Sequence, residues 1–139
     1  MKLKMLVAIF LLFSLTACST SKQTDITDEV IFNGEGKQWN VKYIYNPALY
    51  DEKKVNWIEM ELRDLELELS QEDLQAIDIE LVGRDGVITG NVGDMVTEVT
   101  GNVILFLVGT VNVDTYKEDE YKITIKFKDQ QDVIKLKIT

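Results

Sequence analysis

Polar and apolar residues alternate along most of the chain after residue 38. Trp39, Val41, Tyr43 and Tyr45 share one parity, with Asn40, Lys42 and Ile44 on the other. Successive side chains of a strand point to opposite faces, so this pattern predicts a half-buried β-strand. Asn46-Pro47 ends it, because proline brings no amide hydrogen to a sheet ladder. Ile58, Met60 and Leu62 then alternate with Glu59, Glu61 and Arg63. Beyond Arg63-Asp64 the parity slips, and Leu65, Leu67 and Leu69 alternate with Glu66 and Glu68. A one-residue slip moves every side chain to the other face, which predicts a bulge or short break near residues 63–64 with the strand continuing to Leu69. Ile58, Leu62, Leu65 and Leu69 also fit a helical stripe, but that reading leaves Met60 and Leu67 unplaced, so the strand is preferred.

Ser70-Gln-Glu-Asp73 has the form of a helix N-cap and predicts a single turn over 71–75. Ile77, Ile79 and Leu81 resume the strand period. Asp85-Gly86 signals a two-residue hairpin into Val87-Ile88-Thr89. Val103 to Val108 is continuously apolar, as in a central strand or one buried on both faces. Tyr121, Ile123, Ile125 and Phe127, a turn at Asp129–Asp132, and Ile134, Leu136 and Ile138 form the clearest hairpin. Short strands separated by turn signals predict an all-β fold: an antiparallel two-sheet β-sandwich of about seven strands. It is immunoglobulin-like in layering only, because the Cys–Trp–Cys core is missing. A small closed barrel is the alternative.

The N-terminus follows a different rule. Lys2 and Lys4 precede an unbroken apolar run from Met5 to Phe13, and Leu15-Thr16-Ala17-Cys18 follows. The apolar run is too short for a membrane-spanning helix of about 20 residues and fits an export signal. Its ending resembles the lipobox of bacterial lipoproteins. That resemblance implies cleavage after Ala17 and attachment of diacylglycerol to Cys18, with palmitate-type chains holding the protein on the outer side of the cell membrane. Two or more acyl chains anchor firmly where one does not. Residues 1–17 then read as signal peptide, the polar residues 18–29 as a flexible tether, and residues 30–139 as one domain.

The lipobox and spacer lead into Phe32-Asn-Gly-Glu-Gly-Lys-Gln-Trp39-Asn-Val-Lys-Tyr43. Together with the Lys-rich hairpin at 121–138, this resembles small lipoproteins of bacilli, a family with no assigned activity. The resemblance implies location and fold and transfers no functional residues.

Charge and composition mostly exclude. The chain carries 15 basic and 24 acidic residues, for a net charge of −9, and loss of two lysines with residues 1–17 moves it to −11. An acidic chain without clustered Lys and Arg is a poor match to nucleic acid. Histidine is absent and Cys18 is the only cysteine. A Ser-His-Asp triad, a His-ligated metal site and a disulfide are therefore all beyond this composition, and no metal or other cofactor is expected. Gly34-Glu-Gly36-Lys37 lacks the spacing of a phosphate loop and reads as a turn. Asp114 to Glu120 lacks the register of a calcium loop and reads as solvated.

What remains is binding. Trp57 shares parity with Glu59 and Glu61. It either folds over the sandwich rim, the preferred reading, or lies on the outer face beside Ile44 as a partner anchor. Lys122, Lys126, Lys128, Lys135 and Lys137 form a basic stripe that could meet an anionic envelope polymer or headgroup; alternatively it guards a strand edge or pairs with Glu59, Glu61, Glu66 and Glu68. The sequence therefore predicts a non-catalytic, lipid-anchored binding module that meets the membrane through Cys18 and an unidentified envelope protein or anionic polymer through its surface. An inhibitor of an envelope hydrolase, presenting loop 109–120 or 90–102, is the alternative; a hydrolase built on paired carboxylates is the third reading.

Overall fold

The computed structural model describes residues 23–139. The signal segment and Cys18 lie outside the described residues. Two antiparallel sheets face each other across one apolar core. The first has five strands in the order β1-β2-β3-β7-β6: β1 (Val30–Glu35), β2 (Trp39–Tyr45), β3 (Asn56–Leu62), β7 (Val103–Val108) and β6 (Thr97–Thr100). The second has four in the order β5-β4-β8-β9: β5 (Val87–Asn91), β4 (Ile77–Val82), β8 (Tyr121–Phe127) and β9 (Gln130–Leu136). The fold is the expected β-sandwich, with nine strands among the described residues.

Each period-two pattern delivers one parity to the core. Trp39, Val41, Tyr43 and Tyr45 point inward from β2, Ile58, Met60 and Leu62 from β3, and Ile77, Ile79 and Leu81 from β4. Tyr121, Ile123, Ile125 and Phe127 meet them from β8. Aromatic rings bridge the two sheets: Phe32 packs edge-on to Tyr121 at 5.1 Å, and Trp39 to Phe127 at 5.8 Å. Such pairs add about 0.5–1.5 kcal/mol each beyond the area they bury.

One side of the sandwich is stitched. Asn33 of β1 and Lys137, just past β9, exchange backbone hydrogen bonds at 3.0 and 3.2 Å. Beside them the buried Asp132 carboxylate accepts from the amides of Gln38 and Trp39 at 2.8 and 3.1 Å. A Cβ at Gly34 would collide with the Lys135 carbonyl, and one at Gly36 with the Asp132 carboxylate and Ile134. The expected turn begins only at Gly36: Gly34 and Glu35 are the last residues of β1, paired with Val41 and Asn40, and the two glycines let the β1–β2 hairpin lie against β9.

Several local expectations are corrected. Strand β3 stops at Leu62, and residues 65–69 are turn and coil, neither strand nor helix. Trp39 opens β2 opposite Leu62 and Val103 opens β7 opposite Glu61, and the last backbone bonds here run from the Leu62 amide to Asn102 and from the Arg63 amide to Gln38, where both neighbours turn away. A continuation would carry unpaired backbone, so the chain crosses to the second sheet instead. Leu65 is left 79% exposed, and Leu69 packs on the core. The parity slip marked an exit from the sheet.

The β4–β5 hairpin closes through the Gly83 amide and the Gly86 carbonyl at 2.9 Å, which puts Arg84 and Asp85 at its tip, one residue before the expected pair. The last hairpin turns at Lys128-Asp129 instead of 129–132, with Lys128 in the left-handed region at φ 56°. Strand β7 is flanked by β3 and β6, but only Ile104, Phe106 and Val108 enter the core, and Val103, Leu105 and Leu107 face outward.

Two short helices fill the connections. Asn46, expected only to break β2, caps α1 (Pro47–Lys53) by accepting from the amides of Ala48 and Leu49 at 3.0 and 3.2 Å. Proline at the first helical position needs no amide partner there. Ser70 and Asp73 close a reciprocal capping box on α2 (Gln71–Gln75), as the sequence predicts.

Replacing Asp132 with alanine strands the Gln38 and Trp39 amides and costs about 2–3 kcal/mol; a lower urea midpoint with an unchanged slope is the expected readout. Burial raises the Tyr43 hydroxyl far above the ordinary tyrosine range and the Tyr121 hydroxyl to about 12. Both raised values favour the protonated folded state, so their contribution is complete below pH 10 and is lost as the pH climbs through the folded-state values. Alkaline titration followed by circular dichroism is expected to show stability falling above about pH 10, and Tyr43→Phe with Tyr121→Phe flattens that limb.

Candidate functional surfaces

Strand register builds a feature that no single segment displays. On the outer face of the five-stranded sheet, Ile31 is opposite Ile44, Ile44 opposite Trp57, and Trp57 opposite Leu107. The Leu107 amide bonds the Val96 carbonyl at 3.2 Å, which continues the row onto the residue leading into β6, the sheet's fifth strand. At the spacing of neighbouring strands the row is about 19 Å long. Trp57, Ile44 and Leu107 are half-buried by one another, and Ile31 and Val96 are 39% and 71% exposed. Trp57 does not fold over the rim. Asn56 opens β3 and points inward, donating to the Tyr43 hydroxyl at 2.8 Å, so Trp57 must point out.

Two residues further along the strands the same face turns polar. Asn33, Lys42, Glu59 and Glu98 lie there around Leu105. Lys42 pairs with Glu59 at 3.2 Å, half in solvent, a contact worth under about 1 kcal/mol.

The basic stripe lies on the opposite side of the molecule. All five lysines are exposed. Lys122 and Lys135 are cross-strand neighbours on the outer face of the four-stranded sheet, Lys126 stands between Asp78 and Gln131, Lys128 occupies the turn, and Lys137 follows β9. Lys128 lies over the Phe127 ring at 5.0 Å, and Lys135 reaches Glu120 at 3.5 Å. Glu59 and Glu61 belong to the other sheet and Glu66 and Glu68 to the crossing loop, so they do not pair with these lysines. The acids in register are Asp78 and Glu80 on β4.

Those two acids line a shallow groove of about 520 Å³ with Lys126, Gln131 and Asn91. They are two residues apart on one strand, about 7 Å. The separation suits a glycosidic pair, but both rise from the same wall, and Asp78 accepts from Asn91 at 3.0 Å. General acid and nucleophile must flank the scissile bond from two sides. Among the described residues no cluster of three acids, cysteines or histidines could hold a metal ion.

The loops expected to protrude are folded down. In 109–120, Val111 and Asn112 are buried. The Asn112 side chain accepts from the Asp85 amide at 3.1 Å and donates to the Tyr121 hydroxyl at 3.3 Å. Arg84 grips the same loop through the Asp119 carboxylate and the Asp114 carbonyl. Residues 90–102 supply the end of β5, a 3₁₀ turn (Val92–Asp94) that buries Val92, and β6.

The chain enters the domain beside this loop. Asp25 bridges Tyr116, the Thr24 amide and hydroxyl donate to Glu118, and Ile26 packs on the core. The segment read as tether is therefore fastened from Thr24 onward. Among the described residues no helix is long and apolar enough to cross a membrane. No family model matches the chain, and no curated protein or solved structure resembles it at significance.

Only two tryptophans are present, and Trp39 is fully buried. Acrylamide is therefore expected to quench a single emitting class in the isolated domain, and Trp57→Phe is expected to abolish that class while changing the unfolding free energy by no more than about 1 kcal/mol.

Proposed function

We propose that the protein is a lipid-anchored, extracytoplasmic binding module of the bacterial envelope without catalytic activity. The observation that carries the reading is the sequence Leu15-Thr16-Ala17-Cys18, one serine after a nine-residue apolar run, with no second cysteine to serve a disulfide. A diacylated Cys18 would hold the domain at the outer leaflet. The domain's chemistry supports binding over catalysis: a solvent-facing apolar row on one side, a lysine-bearing face on the other, and carboxylates arranged along a single wall.

The lysine face suits an anionic polymer of the envelope, with Lys122 and Lys135 side by side as its centre. The acids Asp78 and Glu80 restrict that field to the β8–β9 half of the sheet. The hydrolase-inhibitor alternative needs a projecting loop, and the packed state of 109–120 and 90–102 weighs against it.

Cys18→Ser is expected to release the protein into the medium or leave the leader uncleaved, as read by fractionation and intact mass. Membrane retention equal to wild type would remove the lipid-anchor reading. In the Cys18→Ser background, Lys126→Glu with Lys135→Glu is expected to lower co-sedimentation with purified cell wall; unchanged sedimentation removes the lysine face as the polymer contact.

A further inference from the structure

The apolar row lies at the end of the domain where the tether arrives. Asp25 is pinned to Tyr116 in the loop that links β7 to β8, and Ile31 follows six residues later. Ile31, Ile44, Trp57 and Leu107 each sit one residue from the ends of their strands at that side: Val30, Tyr45, Asn56 and Val108. Seven residues separate Cys18 from Asp25, a reach of at most about 25 Å. Acyl chains on Cys18 would therefore keep this end of the sandwich against the bilayer.

We propose that Ile31, Ile44, Trp57, Leu107 and Val96 form a docking edge that seats in the headgroup–acyl boundary of the membrane holding the anchor. The inference rests on the lipid-anchor reading and adds an orientation to it. A tryptophan flanked by aliphatic side chains suits that boundary, where an apolar ring body is buried and its N–H stays near water. The depth also fits. The polar tier of Asn33, Lys42, Glu59 and Glu98 begins two residues further along, about 7 Å from the row, and interfacial seating reaches about 5–10 Å. The short tether supplies a high local concentration, so a contact too weak to recruit the free domain can still fix its tilt.

Charge selects the lipid. Glu59 and Glu98 border the row with Lys42, which pairs with Glu59, and Asp25, Asp51 and Asp114 outnumber Lys54 at the same end of the domain, so the rim is acidic on balance. Neutral headgroups suit this rim and anionic ones repel it. The lysine face, on the other side of the sandwich, would then look away from the bilayer.

The test uses the full acylated chain reconstituted in phosphatidylcholine vesicles, with bromine placed near the headgroup end of the acyl chains. Trp57 emission, isolated by subtracting the Trp57→Phe protein, is expected to lose most of its intensity to the bromolipid and to become shielded from acrylamide. Adding phosphatidylglycerol is expected to reverse both effects in part. Ile31→Ser with Val96→Ser, two exposed positions, is expected to relieve the quenching while keeping the urea midpoint. An acylated protein whose Trp57 meets acrylamide as freely on vesicles as in its lipid-free form overturns the docking edge and leaves the anchor standing. Shielding of Trp57 in native envelopes without bromolipid quenching in vesicles overturns it in favour of a protein partner. Wild-type protein that carries no acyl group on Cys18 removes the anchor reading itself.

Discussion

The Asp132 carboxylate is the constraint around which the sandwich is arranged. It is the only buried charged side chain among the described residues. A buried carboxylate is tolerated only where donors replace water, and here the donors are backbone amides of a turn on the other sheet. That requirement fixes the approach of the β1–β2 hairpin to β9, and the approach in turn needs the missing side chains of Gly34 and Gly36. Once the two sheets meet along this side, Trp39 is held against Phe127 and Phe32 against Tyr121. The aromatic layer and the alignment of the two sheets thus follow from one ionic group placed where hydrophobic burial alone would not put it.

The strands were legible because each has one face in the core, and burial on one face writes itself as alternation. This holds for β2, β3, β4, β8 and β9, whose inward residues match the expected parity. The pattern misled at Leu65, Leu67 and Leu69. Alternation records side-chain polarity, whereas strand formation there also needed a neighbouring strand, and beyond the Arg63–Gln38 bond both neighbours have turned away. Helix α1 is hidden in the sequence because Asn46-Pro47 reads as a strand stop, although an Asn cap before proline is equally a helix start. Both hairpin turns shifted by a residue or more because pairing across the strands, and not turn composition alone, sets where the chain reverses.

The binding surfaces were legible in a different proportion. Lys122, Lys126 and Lys135 could be assigned to the outer side from their own strands, but their companions Asp78 and Glu80 come from a strand some forty residues or more away in the chain. The apolar row is more extreme. Its five members come from four strands and the segment before a fifth, and nothing local marks Ile31 or Val96 as neighbours of Trp57. Such a row exists only after register is set, and register depends on long-range pairing. Cys18 is the opposite case, a wholly local signal that owes nothing to the fold.

On the far side β5 and β6 end their sheets, and in place of a paired seam like that at Asn33 and Lys137 two links cross it: the 3₁₀ turn at Val92–Asp94, and the segment whose Leu69 amide bonds the Gly101 carbonyl at 3.1 Å and whose Gln75 carbonyl accepts from Asn91 at 2.7 Å. A sandwich with a backbone-paired seam on one side and two short straps on the other behaves like a book with a glued spine. Thermal breathing is expected to open the pages at β5 and β6 first, making their amides the earliest to trade hydrogen for deuterium and the spine strands β1, β2 and β9 the last to let solvent in.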